Sequence, residues 1–204
     1  MSVVVVGGST RNIGKTSVVA GLIAGLRARH WTAIKITQFG HGVCSANGEP
    51  CDCETADHTV AVSEERERGT GTDSSRYLDA GAVKSYWVRT QQGQLHEAMP
   101  RVRQLIAAAE DVIVESNSVL RFLQPDVSIS VIDLSVEDFK ASALRYLDRM
   151  DAVVMPEGGA VAVSGVSLKL IESKPRFVAR PPLYCSDELV EFVSAKLNAL
   201  TLKA

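Results

Sequence analysis

Cysteine is scarce in this chain, with four in 204 residues. A chain of this length and 46% hydrophobic content hides roughly 70% of the surface its unfolded form exposes, so disulfide staples are not needed and a disulfide scaffold is excluded. An excess of positive charge is missing too. The formal net charge of −2 argues against a protein that grips nucleic-acid backbones without sequence preference. Long apolar runs are absent: the longest early one, Val3 to Val6, has no basic segment before it and falls far short of the ~20 residues a membrane span requires. No internal repeat is apparent. What remains is the expectation of one domain over residues 1–204, cytoplasmic, with neither nucleic acid nor membrane as partner.

The apolar residues that are present come in short runs. Val3 to Val6 is β-branched and closed by Gly7-Gly8, the pattern of a fully buried strand. Lys15 to Arg29 follows with helical spacing, placing Val18, Val19, Leu22, Ile23 and Leu26 on one face. Further runs at Thr32 to Thr37, Val112 to Val114, Ser128 to Leu134 and Ala152 to Met155 read as strands, with helical stretches near 96–109 and 136–148 between them. A last helix, Asp187 to Leu200, opens with Ser186 as its cap. Strands apolar on both faces, alternating with helices, predict a three-layer α/β fold with a mostly parallel sheet and helices on both faces. His30 and Trp31 read as the cap region of the first helix, His96 as a helix start and Cys185 as a buried apolar filler. One stretch breaks the rhythm: residues 40–81 are polar and read as a loop or insertion, with nine acids against three arginines in residues 49–79, a net charge of −6. Loops this long are usually functional or disordered.

The segment from Gly8 through Asn12, Ile13, Gly14, Lys15, Thr16 and Ser17 lies directly between the first strand and the first helix. Backbone N–H groups at a helix N-terminus hold phosphate oxygens, and the helix dipole favours their charge. Lys15 is then placed to reach the β- and γ-phosphates, Thr16 to ligate Mg2+ and Ser17 to approach the α-phosphate. Five residues separate Gly8 from Gly14, one more than in the common G-x-x-x-x-G-K-[ST] loop; this form resembles dethiobiotin synthetase and the branch of phosphate-loop NTPases that includes it. No G-x-G-x-x-G stands at this turn, which disfavours a dinucleotide site.

Glu115 ends the strand Val112-Ile113-Val114, where a carboxylate of an open α/β sheet points into the ligand crevice. It is a candidate to orient Mg2+ or an attacking water, against a structural salt bridge. Asp133 is a weaker candidate of the same kind, and Asp111 reads as a solvated strand end. Arg11 and Arg76 either stabilise transferred phosphate or make surface salt bridges.

Three ordered segments resemble the MobB family of molybdopterin-guanine dinucleotide biosynthesis: the phosphate loop, Ala33-Ile34-Lys35-Ile36-Thr37, and Thr72 to Ala82 with its D-S-x-x-x-x-x-A-G-A pattern, followed by Val112-Ile113-Val114-Glu115. The family's histidine after Ile34-Lys35 is not present, and Ser116 stands where the family has glycine. The resemblance implies Lys15 and Thr16 on phosphate and magnesium, Asp73 and Glu115 near the metal, a homodimer, and a partner enzyme of cofactor biosynthesis. It points to GTP, whereas the loop spacing points to ATP. No N-K-x-D signature decides between them.

Cys44, Cys51 and Cys53 fall within ten residues, flanked by His41 and His58. Three thiols and an imidazole are a plausible tetrahedral Zn2+ set, the alternative being incidental or redox-active thiols. Residues 158–182 read as an edge hairpin near the nucleotide base or as a partner surface. Three functions follow: a slow GTP- or ATP-hydrolysing adaptor like MobB, an ATP-dependent ligase or kinase resembling dethiobiotin synthetase in which Lys35 contacts a small substrate, or a metal-delivery GTPase with the cysteine loop as cargo site.

Overall fold

The computed structural model describes residues 1–40, 60–136, 139–158 and 165–201. Eight strands form one sheet: β1 (Val3–Gly8), β2 (Trp31–Phe39), β3 (Val60–Glu65), β4 (Lys84–Gln91), β5 (Asp111–Glu115), β6 (Val127–Val131), β7 (Ala152–Pro156) and β8 (Arg176–Ala179). Their order is β3-β4-β2-β5-β1-β6-β7-β8. Every pair is parallel except β3 with β4.

The two-residue period of the strands sorts their side chains onto two faces. Val4, Val6, Ala33, Ile113 and Ile129 pack against α1 (Lys15–Gly25), against Tyr77 of α2 (Asp73–Ala80), and against Leu189, Val193 and Leu197 of α6 (Asp187–Thr201). Val5, Ile34, Val112 and Val114 face the other way and meet Leu95, Met99, Val102 and Ile106 of α3 (Leu95–Ala107). A smaller cluster joins Ile132, Leu134 and Val153 to Ile171 of α5 (Leu168–Glu172). The expected three layers are thus present.

The polar stretch 40–81 is not all loop. It contains β3 and α2, and β4 follows with no strand expected there. The reason is shared: β3 and β4 lie at the sheet margin, where β3 has no fully buried position and β4 mixes polar with apolar residues, so neither has a long apolar run. α2 is short and starts because Thr72 Oγ1 accepts the Ser75 N–H at 3.2 Å, a side-chain cap on a backbone donor.

Other boundaries shift. The helix expected over 136–148 shrinks to α4 (Ala141–Arg145) and a 3₁₀ turn, Leu147–Arg149. Residues 165–182 hold α5 and the parallel strand β8 rather than an edge hairpin. Trp31 belongs to β2, is buried, and donates its indole N–H to Leu26 O at 3.0 Å. Asp111 is not a solvated end residue: it accepts the Ser2 N–H at 2.7 Å and pairs with Arg29 at 3.2 Å. Cys185 is half-buried, and burial pushes its thiol up to about 12, as suits a filler. No helix among the described residues is long and apolar enough to cross a membrane.

Candidate functional site

A cavity of about 1150 Å³ opens at the C-terminal ends of β1, β2 and β5, the place where a doubly wound sheet leaves its crevice. Residues 11–14, in the turn between β1 and α1, form its floor. Asn12 and Gly14 take positive φ, 56° and 92°, on either side of Ile13, an alternation suited to an anion-binding nest of N–H groups. Gly14 tolerates no side chain: a Cβ there would lie 2.1 Å from Cδ1 of Tyr184. At Gly8 a Cβ would come within 2.8 Å of the Ile13 and Lys15 side chains.

Three groups converge behind that loop. Thr16 Oγ1 donates to Glu115 Oε2 at 2.9 Å, and the Tyr77 hydroxyl donates to the same oxygen. The other carboxylate oxygen, Oε1, accepts from Lys35 Nζ at 3.2 Å, and Lys35 also donates to Asp73. Glu115 is 6% exposed and Tyr77 fully buried. Burial and the neighbouring Glu115 carboxylate hold the Tyr77 hydroxyl well above its ordinary pKa, so it remains a proton donor. Lys15 donates to Thr10 O at 2.5 Å. Its ammonium is lowered to about 8, first by burial and next by the positive charge of Lys140.

Of the sequence candidates, Asn12, Ile13, Gly14, Lys15, Thr16, Ser17, Asp73 and Glu115 all line this cavity, and Gly8 lies beneath it against Lys15. Arg76 donates to Ser17 Oγ at 2.8 Å and stands 3.9 Å from Asp73, while Arg11 also lines the cavity. Asp133 is not among the lining residues. It accepts from Ser135 N at 2.8 Å and Ser135 Oγ at 2.6 Å, a local turn. His41, Cys44, Cys51, Cys53 and His58 lie outside the described residues. Among the described residues no three His, Cys, Asp or Glu side chains gather as a metal site.

Sequence reasoning missed Asn117, Tyr77, Tyr184 and Lys140. The Asn117 amide clamps Gly8 on both sides, accepting its N–H at 2.7 Å and donating to its carbonyl at 2.8 Å. Its position two residues beyond a strand end was the available signal. Lys140 reaches the site because its own N–H is bonded to Ser9 O at 2.8 Å, a contact between residues far apart in sequence.

No protein-family model matches the sequence, and no curated protein does. Among solved structures, HypB from Helicobacter pylori, in complex with nickel, is similar to this chain with a TM-score of 0.52 and 14% identity, over 96% of this chain and 87% of that one. That likeness is one of fold: a mostly parallel α/β sheet covered by helices on both faces. LpxK from Aquifex aeolicus, an "apo" form in complex with ATP, is 17% identical with a TM-score of 0.48. The match covers 86% of this chain and 53% of LpxK.

Proposed function

We propose that this chain binds a magnesium complex of a nucleoside triphosphate, GTP or ATP, and hydrolyses it slowly as a switch or adaptor. The observation that carries this is the joining of the phosphate loop to a buried carboxylate: Lys15 follows Gly14, and Thr16 is bonded to Glu115. The cavity's charge supports it. Among the described residues Arg11, Lys15, Lys35, Arg76 and Lys140 line it together with Asp73 and Glu115, in a chain whose net charge is −2. A polyphosphate is the anion that such a surplus of cations fits.

The donor set suits Mg2+, which is commonly held by one or two carboxylates, a hydroxyl and substrate phosphates rather than by a closed protein cage. Thr16, Glu115 and Asp73 would hold it, and it would supply charge neutralisation of the phosphoryl oxygens. Lys15 binds the β- and γ-phosphates, the Gly8 to Gly14 backbone cradles them, and Glu115 orients the attacking water. Thermal unfolding tests this. Mg-ATP or Mg-GTP should raise the Tm of the wild-type chain, and Lys15→Ala should abolish the rise; no shift of the wild type with any Mg-nucleotide overturns the assignment.

The resemblance to MobB extends the proposal to a homodimer serving a partner enzyme of molybdenum cofactor biosynthesis, with light scattering in the presence and absence of nucleotide as its check. One observation favours a second reading, a kinase or ligase with its own small substrate. The cavity exceeds the usual 300–1,000 Å³ of a ligand site and continues past Lys35 along Thr37 and Gln38 to Gly93. Turnover stimulated by a small molecule rather than by a protein would select it. HypB was solved with nickel, which keeps metal delivery in view: Cys44, Cys51, Cys53 and His41 or His58 would then carry Zn2+ or another soft cation, measurable by elemental analysis of chelator-free protein.

A further inference from the structure

Parallel pairing of β2 with β5 sets Lys35 directly beside Glu115. Both side chains emerge on the same face of the sheet, and α2 brings Asp73 against them. One ammonium therefore bridges two carboxylates, one of which is bonded through its far oxygen to Thr16. The Lys35 side chain is only 19% exposed and the Glu115 side chain 7%, so their charges are poorly screened and need a partner inside the site. The oxygens gathered around that ammonium are the ones a divalent cation beside Thr16 would use.

We propose that Lys35 is a built-in placeholder cation: in the chain without nucleotide it fills the metal position between Asp73 and Glu115, and it yields that position only when a nucleoside triphosphate brings both the metal and a new anionic partner. The physical reason is charge. An ammonium displaced by a dication alone would remain beside it in a cavity that already holds Lys15, Lys140 and Arg11, and like charges at such range repel strongly. A terminal phosphate removes the conflict, because Lys35 turns from the carboxylates to the phosphate oxygens as the metal is bound. Metal uptake and nucleotide uptake are then obligatorily coupled, and the metal alone finds no site. The nucleotide half of this inference rests on the function proposed above, whereas the competition between Lys35 and a dication does not.

Mn2+ serves as the probe, with the free-ion electron paramagnetic resonance signal as the readout and no nucleotide present. Wild type should leave the signal nearly unchanged. Lys35→Met, or Lys35→Gln if the first variant folds poorly, should bind one Mn2+ at least tenfold more tightly and gain Tm from it. Lys35→Arg, which keeps the cation, should behave like wild type. The double variant Lys35→Met/Asp73→Asn should lose the gain, which separates this position from the thiols and imidazoles of residues 41–58. A folded Lys35→Met with wild-type Mn2+ affinity overturns the placeholder, as does a gain that persists in the double variant. Adding ATP or GTP to wild type should then make it retain Mn2+. Retention with neither overturns the nucleotide reading and the coupling, while a Lys35→Met gain would still stand by itself.

Discussion

Lys15 shows how a single residue is tuned by what surrounds it. Its ordinary value of 10.5 falls to about 8, through burial first and Lys140 second. Between those pH values the unfolded chain carries the proton and the folded chain does not, so without ligand the contribution of Lys15 to stability rises with pH across that window. A bound polyphosphate reverses the preference by favouring the ammonium. Nucleotide binding above pH 8 should therefore take up a proton, and affinity should fall by up to about tenfold per pH unit. Lys140→Met should move the break to higher pH. Titration calorimetry between pH 7 and 9.5, in buffers of different ionisation heat, measures both effects; flat affinity throughout would remove Lys15 from the phosphates. The same residue-scale logic explains Asn117, whose amide satisfies both polar groups of Gly8 and so fixes where the loop leaves β1.

At the scale of elements, α2 matters most. Asp73, Arg76 and Tyr77 stand at i, i+3 and i+4, hence on one helix face, and they touch Lys35, Ser17 and Glu115 respectively. An eight-residue helix thus braces three parts of the site at once. Its start depends on the Thr72 cap, and its end on Gly81, whose φ of 112° favours glycine. Tyr77→Phe removes one of two hydroxyl donors on Glu115 Oε2 and leaves the packing intact. The expected result is a stability loss of about 1 kcal/mol, with kcat lowered several-fold and KM for nucleotide changed less than about twofold. Unchanged kcat alongside the stability loss would make Tyr77 a purely structural residue. The D-S-x-x-x-x-x-A-G-A pattern was legible before this helix was, because the pattern is a matter of residue identity. The helix itself is too short and too polar to announce itself: of its four buried positions two are the serines Ser74 and Ser75.

For the whole molecule, the relevant quantity is the contrast between a chain of net charge −2 and a cavity lined, among the described residues, by five cationic side chains and two carboxylates. Long-range attraction to a polyphosphate is screened by salt, while contacts inside the loop are screened far less. Raising ionic strength from about 0.05 to 0.5 M should therefore slow nucleotide association more than it speeds dissociation. Stopped-flow measurement of a fluorescent nucleotide checks this, and a salt-independent association rate would show that the cation cluster does not steer the ligand. The eight-stranded order also matters at this scale, since β1 sits between β5 and β6 and its loop faces the ends of both.

The Gly-Lys-Thr turn, the buried strand before it, the helix after it and the carboxylate at the end of β5 were all legible in the amino-acid sequence alone. These are local matters: a β-branched run, a Gly-Lys-Thr turn, a helical spacing of apolar residues and a strand terminus are all written in consecutive residues. What those pieces meet is a matter of long-range packing. The pairing of Lys35 with Glu115 depends on strand register, the Asn117 clamp on β1 lying beside β5, and the approach of Lys140 to Lys15 on a loop that bonds Ser9. The marginal strands β3 and β4 escaped notice for a related reason: half-buried strands take much of their stability from neighbours across the sheet, and those neighbours are chosen only when the chain folds.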